Sequence, residues 1–147
     1  GYRYDVVDAV LRCQAANPAK AQRYVDILSA WVARADWMSI LPAYSRCVRI
    51  TRDLSETYPI HENLFVEPTE KELFAALQRA QAALAGHDDL EAALEQVRLL
   101  VPAINTFFDN VLVMAEDAAL RQNRLGLLQG IVALLRKHAD LSALEGF

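Results

Sequence analysis

Two arginines near the end of the chain, Arg121 and Arg124, occupy helical positions at which the surrounding pattern is apolar. If Leu128 is placed at 0° and each residue turns the helix by about 100°, Arg121 falls at about 20° and Arg124 at about −40°. The two guanidinium groups therefore extend the apolar stripe of the predicted last helix. A buried charge without a partner is very costly, so each arginine needs an anion.

The anion has two alternative sources, and the spacing of the arginines does not distinguish them. In the structural alternative, the arginines pair with the carboxylates of Asp109, Glu116 or Asp117 and hold the segment between two helices in place. In the functional alternative, the stripe extends beyond the core and the arginines bind an external anion. Ion-pair networks and functional sites produce the same signature.

Three asparagines lie near predicted helix ends, at Asn105, Asn110 and Asn123. An amide at such a position can cap a helix by accepting a hydrogen bond from a free backbone N–H group. The same side chain can read the edge of a nucleic-acid base through paired hydrogen bonds. Both interpretations stay open from the sequence.

A basic ridge is predicted on the third helix, where Arg46, Arg49 and Asp53 lie opposite the apolar face and Arg52 lies on its flank. Such a ridge is usually a solvated surface, and the alternative is contact with phosphate groups. Three aromatic residues are predicted in the core, although an aromatic at the rim of the domain could also stack on an unpaired base. These aromatics are Tyr44, Phe107 and Phe108.

No pattern in the chain predicts an active site or a metal site. The histidines His61, His87 and His138 lack the clustered spacing of a zinc or di-iron centre. Cys13 and Cys47 both fall on apolar helix faces, which favours buried thiols over a disulfide. The sequence also contains no glycine-rich phosphate loop and no nucleophile elbow.

Helices must position these residues, because apolar residues recur at three- and four-residue spacing along nearly the whole chain. With 54% hydrophobic and 23% charged residues, the composition is that of a globular protein with a large core. The prediction is an all-α fold, a helical bundle of about six helices. The predicted ranges are about 5–16, 18–35, 39–54, 69–85, 88–111 and 118–139.

Local signals mark several helix ends. Pro18 opens the second helix and Asp117 caps the last one. Thr69 and Glu72 match a capping box that starts the fourth helix. Pro102 falls inside the fifth helix, where a proline costs about 3 kcal/mol, so we expect a kink or a fresh start there.

Gly126 and Gly130 leave a small flat strip on the outer face of the predicted last helix. The strip indicates either the close approach of a neighbouring element or a surface on which another part of the parent protein docks.

The chain of 147 residues fits one domain, 1–147. Because it begins at Gly1 without methionine and runs directly into a helix, we expect a fragment of a longer chain. No apolar run approaches about 18 residues and no signal peptide opens the chain, so we expect a cytoplasmic protein with no membrane partner. The net charge of −4 argues against bulk attraction to nucleic acid, so nucleic-acid binding would rest on local patches.

The charges are unevenly distributed along the chain. Residues 12–52 carry seven Lys or Arg against two Asp, and residues 118–138 carry four Lys or Arg and no acid. Between them, residues 53–95 carry two basic and ten acidic residues. The two basic segments could therefore lie on opposite sides of the domain.

Several stretches together resemble the C-terminus of the beta subunit of bacterial glycyl-tRNA synthetase. The resemblance spans almost the whole chain, from Tyr4 to Leu144. The stretches that carry it are YDVVDAVL at 4–11, LF at 64–65, EKEL at 70–73, FFDNVLVMAED at 107–117, LRQNRL at 120–125 and ADLS at 139–142.

This resemblance implies a helical anticodon-binding domain of the DALR type, named after a motif that would correspond to Asp8-Ala9-Val10-Leu11. It implies a noncatalytic part of glycine–tRNA ligase without a cofactor of its own, since ATP-dependent activation of glycine, with ATP and magnesium, belongs to the separate alpha subunit. The implied partners are the anticodon loop of glycine tRNA, the rest of the beta subunit and the alpha subunit. The second and third anticodon bases of that tRNA are cytosines.

The resemblance also supplies candidate RNA-binding residues. Of the family's third-helix pattern, Lys-Arg followed two residues later by Asn, the sequence Ser45-Arg46-Cys47-Val48-Arg49 retains Arg46. The candidates are Arg46 and Arg49 for phosphates, Arg121 and Arg124 for phosphates or bases, and Asn110 and Asn123 for base edges. The alternative function is a helical scaffold that docks through the Gly126 and Gly130 strip without RNA specificity.

Overall fold

Six α-helices and no β-strand make up the computed structural model, which describes all residues from 1 to 147. This confirms the predicted all-α bundle. The helices are α1 (Tyr4–Gln14), α2 (Pro18–Val32), α3 (Trp37–Thr51), α4 (Pro68–Leu84), α5 (Leu90–Asn110) and α6 (Ala118–Leu135), with 3₁₀ turns at Glu62–Leu64 and Leu141–Ala143. None of the helices combines the length and the apolar character that crossing a bilayer requires.

The central helix of the bundle is α5, which contacts α2, α3, α4 and α6. α3 packs against α6, while α1 packs against α2 and the C-terminal turn Leu141–Ala143. Thirty-eight buried apolar residues form one continuous core, and they include the predicted stripe of α6. The two basic segments do not lie on opposite sides of the domain as expected, because α3 and α6 pack directly against each other.

Side-chain caps begin three helices close to the predicted positions. Asn17 precedes Pro18 and accepts a hydrogen bond from the backbone N–H of Lys20 at 3.2 Å. Asp89 starts α5 by accepting from the backbone N–H of Ala92 at 2.8 Å, and Asp117 starts α6 in the same way. The predicted starts at Pro18 and after Asp117 are confirmed.

The predicted capping box of α4 is wrong in its register. The helix begins at Pro68, whose ring occupies the first turn, where its missing N–H group costs nothing. The N-cap residue is therefore Glu67, and the carboxylate that reaches back belongs to Glu70 instead of Glu72. The Oε1 atom of Glu70 accepts from the backbone N–H groups of Val66 at 3.1 Å and Glu67 at 3.0 Å.

Pro102 does not start a new helix, because α5 continues through it from Leu90 to Asn110. A second interior proline, Pro42, lies in α3. Both prolines are exposed, so the carbonyl groups that lose a helical hydrogen bond lie on the solvent side, where water can donate to them. Packing of the opposite, apolar faces then holds both helices together.

The two cysteines differ in burial. Cys47 is buried as predicted, whereas Cys13 is exposed, which makes the prediction of a buried thiol wrong at that position. The Cys13 Sγ atom lies 3.3 Å from the carbonyl oxygen of Arg136, to which it can donate. Cys13 lies at the end of the short helix α1, where its apolar face reaches the edge of the core.

Candidate nucleic-acid interface

Arg124 lies in the interior of the protein, with 6% of its surface exposed. Its Nη2 atom lies 3.3 Å from the Oε1 atom of Glu70, which is fully buried. Its Nη1 atom donates to the carbonyl oxygen of Leu112 at 2.7 Å. The structural alternative therefore describes Arg124, but the predicted partners are wrong, because the carboxylate comes from α4 and not from the segment next to α6.

Arg121 is half-buried and donates to backbone instead of pairing with a carboxylate. Its Nη1 atom lies 2.9 Å from the carbonyl oxygen of Ala115 and 3.3 Å from that of Glu116. These carbonyl groups belong to residues 111–117, which join α5 to α6 and are named here the connector. Both predicted arginines thus hold the connector against the start of α6, and only Arg121 keeps contact with solvent.

Asn123 is buried, with 1% of its surface exposed, and it reads protein backbone instead of a base. Its Oδ1 atom accepts from the N–H group of His61 at 2.6 Å, and its Nδ2 atom donates to the carbonyl oxygen of the same residue at 3.0 Å. His61 belongs to residues 52–67, the segment between α3 and α4, which is named here the strap. The paired hydrogen bonds expected of Asn123 are present, but their partner lies within the protein.

Two further residues of α6 contact the strap. The sequence did not predict the role of Gln129, whereas close approach of a neighbouring element was one of the two alternatives given for Gly126. The side chain of Gln129 accepts from the N–H group of Tyr58 at 2.9 Å and donates to the carbonyl oxygen of Glu56 at 2.8 Å. Between the two amides lies Gly126, where a Cβ atom would stand 2.7 Å from the carbonyl oxygen of Tyr58. The repetition of Asn123, Gly126 and Gln129 at three-residue spacing was the available signal.

Gly130, the second glycine of the strip, lies against α4. A Cβ atom at this position would stand 2.7 Å from the Cδ2 atom of Leu77 in α4. The strip is therefore a site of close internal approach, covered by the strap at Gly126 and by α4 at Gly130. It does not provide a free surface for docking.

Arg46 and Phe108 form the most prominent contact between a cation and an aromatic ring on the exposed face of α3. The guanidinium carbon of Arg46 lies 4.1 Å from the centroid of the Phe108 ring, within the range of a cation–π interaction. Arg46 is exposed and Phe108 is half-buried, so solvent reaches this pair. Phe107, in contrast, lies in the core as predicted.

The remaining predicted candidates are exposed. The Nη1 atom of Arg49, one turn after Arg46, donates to the carbonyl oxygen of Phe147 at 2.6 Å. Asn110 ends α5, where its Nδ2 atom donates to the carbonyl oxygen of Thr106 at 2.7 Å. The structure therefore places Arg46, Arg49, Asn110 and part of Arg121 at the surface and removes Asn123 and Arg124 from it.

The side chains of Cys13, Cys47 and Tyr44 are not activated for nucleophilic chemistry. Burial raises the pKa of Cys47 to about 12 and also raises the pKa of Cys13. Burial likewise raises the pKa of Tyr44. A nucleophilic thiol needs the opposite shift.

A buried network surrounds His138. Its Nε2 atom lies 2.7 Å from a carboxylate oxygen of Asp88, and its Nδ1 atom lies 3.3 Å from the hydroxyl group of Tyr24. His138 and Tyr24 are both buried. This network joins α2 to the segment that follows α6 and to the segment that precedes α5. No set of three or more His, Cys, Asp or Glu side chains is arranged to hold a metal ion.

Comparison with known proteins bears on this geometry. A family model described as the DALR anticodon binding domain matches residues 40–143. The sequence Asp8-Ala9-Val10-Leu11, to which the family's name-giving motif was assigned, lies outside the matched residues. The matched range includes α3, with Arg46, and α5, with Phe108.

Curated relatives match nearly the whole of the chain. The glycine–tRNA ligase beta subunit of Myxococcus xanthus is 40% identical over 153 residues, which cover 98% of this chain and 21% of that protein. The beta subunit of Moorella thermoacetica is 38% identical, with coverage of 98% and 21%. The beta subunit of Acidobacterium capsulatum is 36% identical, with coverage of 97% and 22%.

This chain therefore spans about a fifth of the length of the curated relatives it matches. The family model, in contrast, covers more than half of the chain and includes most of the core helices. The resemblance seen in the sequence is confirmed, and this chain belongs to the DALR anticodon-binding domain family.

Proposed function

We propose that this chain is the part of a glycine–tRNA ligase beta subunit that recognises the anticodon loop of glycine tRNA. The observation that carries the proposal is the family match over residues 40–143, which includes both helices that bring Arg46 onto Phe108. The curated relatives are named as glycine–tRNA ligase subunits, which is why we propose glycine tRNA as the partner.

The Arg46–Phe108 pair has the chemistry that an unpaired base requires. Sequence-specific recognition of RNA acts mostly on bases that leave the helical stack and then pack against aromatic rings or guanidinium planes. The Phe108 ring lies 4.1 Å from the guanidinium carbon of Arg46, and the exposed Arg46 side chain is accessible to a base. Because the whole chain carries a net charge of −4, such local cations must supply the attraction to phosphate.

Asn110 provides the polar part of the proposed recognition. Its Nδ2 atom is held by the carbonyl oxygen of Thr106, which leaves the Oδ1 atom to accept from a base. The exocyclic amino group of cytosine is a donor, so the two cytosines of the glycine anticodon suit this acceptor. We assign Arg49 and Arg121 to phosphates, and we leave the buried Asn123 and Arg124 out of the RNA surface.

The rest of the synthetase supplies the chemistry in this proposal. The chain itself is noncatalytic and takes no cofactor, and ATP and magnesium serve the activation of glycine on the alpha subunit. The other partners are the remainder of the beta subunit and glycine tRNA, and the place of action is the cytoplasm. The alternative of a scaffold without RNA specificity loses its proposed surface, because the strap and α4 cover Gly126 and Gly130.

The test is a titration of the chain with the anticodon stem-loop of glycine tRNA and with a stem-loop in which the two cytosines are replaced. We expect tighter binding of the natural loop and a loss of affinity as the salt concentration rises, since phosphate contacts release counterions. Equal and salt-insensitive binding of the two loops, or no binding of either, would contradict the proposal.

A further inference from the structure

A groove of about 860 Å³ opens between the ends of α1, α3 and α6. The strap forms one wall and residues 139–142 form the other. We propose that this groove binds one nucleotide, with the base on the floor and the phosphate between Arg52 and Arg136. Its volume lies within the roughly 300–1,000 Å³ of small-molecule sites in proteins.

The floor of the groove, as defined here, consists of small and apolar residues of α3 and α6. Val48 of α3 and Val132 and Ala133 of α6 are among the residues that line the groove. A flat, largely apolar body such as a nucleobase gains free energy by leaving water for a surface of this kind. Ala133 is exposed, so solvent reaches the floor of the groove at this residue.

The rim carries two guanidinium groups without a partner in the protein. Arg52 and Arg136 both line the groove and are both exposed, and neither forms an ion pair or donates a hydrogen bond. The third arginine of the groove, Arg12, is neutralised instead, with Asp8 and Asp140 each 3.0 Å away. Arg52 and Arg136 therefore keep all their donors for an external anion, and a guanidinium fork matches a phosphate group.

Another explanation for these two arginines is available and can be tested. Arg52 follows α3 and Arg136 follows α6 as C-cap residues, where the helix dipole favours a cation. The interaction with the helix dipole requires only the positive charge of the arginine. It leaves the N–H donors of the guanidinium free to bind an anion. Variants that lose the charge must therefore be compared for stability as well as for binding.

The ridge on α3 points to an RNA as the source of the nucleotide. Arg46, Arg49 and Arg52 follow one another at three-residue spacing, so a strand that contacts the first two reaches the groove at the third. This part of the inference rests on the proposed function. Binding of a nucleotide in the groove does not depend on the proposed function, since a free nucleoside monophosphate carries the same base and phosphate.

The experiment titrates the chain with cytidine 5′-monophosphate, with cytidine and with inorganic phosphate. We expect the monophosphate to bind more tightly than either part alone. Replacing Arg52 and Arg136 together by Ala should raise its Kd about tenfold or more. Arg79→Ala removes an exposed arginine that does not line the groove, so it should leave the Kd unchanged. Thermal unfolding of each variant checks that the fold is intact.

A second variant tests the floor. Ala133→Phe fills the groove with an apolar ring while both arginines remain, so it should abolish binding of the monophosphate. The proposal is overturned if Ala133→Phe or the double arginine variant binds the monophosphate as tightly as the natural chain does. It is also overturned if the natural chain shows no saturable binding.

The stem-loop separates this inference from the proposed function. If Ala133→Phe weakens binding of both the monophosphate and the glycine stem-loop, the nucleotide comes from RNA. If the monophosphate binds in the groove and neither stem-loop binds, the groove stands as a site for a free nucleotide while the proposed function fails. If the stem-loop binds and the monophosphate does not, the proposed function stands and the groove proposal fails.

Discussion

The carboxylate of Glu70 and the guanidinium of Arg124 form an ion pair 3.3 Å apart that solvent does not reach. The same carboxylate accepts from the backbone of Val66 and Glu67 at the end of the strap. The same guanidinium donates to the carbonyl oxygen of Leu112 in the connector. One pair therefore ties the strap, the connector and α6 together.

Replacing Arg124 by Met should lower the free energy of unfolding by about 3–5 kcal/mol, because Glu70 is left as a buried charge without its guanidinium. Urea denaturation followed by circular dichroism measures the loss. Arg121→Met is the matched control on the same helix. It should cost less, since Arg121 is half-buried and donates only to carbonyl groups.

Adding Glu70→Gln to Arg124→Met should restore part of the lost stability, because the unpaired charge disappears. The pair is not fully satisfied even in the natural chain, since the Oε2 atom of Glu70 and the Nε atom of Arg124 have no hydrogen-bond partner. The control measures the loss of unfolding free energy in Arg124→Met, in Glu70→Gln and in the double variant. If the losses of the two single variants add up to that of the double variant, the residues are not coupled as the structure indicates.

The sequence predicted that Arg124 needs an anion, but it did not predict which one. Helical periodicity places a residue on the buried face of its own helix and carries no information about a partner 54 residues away. The nearby carboxylates were therefore the natural candidates. The amide of Asn123 was misassigned for the same reason, since its partner His61 lies 62 residues away in a segment without periodicity.

Gly126→Ala should destabilise the protein by about 1–3 kcal/mol. The added Cβ atom would stand 2.7 Å from the carbonyl oxygen of Tyr58, so the strap backbone must move away from α6. Gly130→Ala should cost less, because the atom that it meets is the end of the flexible Leu77 side chain. Thermal denaturation of both variants measures the difference.

Gly86→Ala is the control for these glycine substitutions. Nothing lies within 4 Å of a Cβ atom at Gly86, and its φ angle is not positive. The substitution should therefore leave stability unchanged or raise it by about 0.4–1 kcal/mol through the unfolded chain. Equal losses at Gly126 and Gly86 would show that the strap does not approach α6 as closely as the structure has it.

Acid should weaken the link between the two ends of the chain. The hydrogen bond from Arg3 is the main reason that the pKa of Asp5 is lowered to about 2, and the backbone N–H of Glu145 donates to the same carboxylate at 2.9 Å. The pKa of Asp5 in the folded state lies below its unfolded value of about 3.9. The stabilisation by the Asp5 carboxylate is therefore complete above about pH 3.9 and is lost as the pH falls toward 2.

Asp5→Asn tests this pH dependence. The variant should be less stable than the natural chain at about pH 6, and the difference should shrink between about pH 4 and pH 2. Urea denaturation at several pH values measures it. A constant difference over this range would mean that the charge of Asp5 is not involved.

The helices were more predictable than the contacts between them. α2 was predicted from an uninterrupted apolar series that begins at Pro18, and its start is correct. A kink or a fresh start at Pro102 was predicted from local cost alone, and the helix continues through the proline because α5 packs against four other helices. Propensity is a weak guide where burial of a long apolar face opposes it.

Arg46→Ala should weaken binding of the glycine anticodon stem-loop about tenfold, because it removes both a phosphate-binding charge and the guanidinium plane above Phe108. Arg46→Lys keeps the charge but loses the plane, so it should restore the salt dependence and only part of the affinity. Fluorescence anisotropy at several salt concentrations separates these two effects. Arg79→Ala removes an exposed arginine of α4 and is the charge-matched control, which should bind as the natural chain does. If Arg46→Lys restores the full affinity, or if Arg79→Ala loses as much as Arg46→Ala, then stacking on the Arg46–Phe108 pair is not how this domain holds RNA.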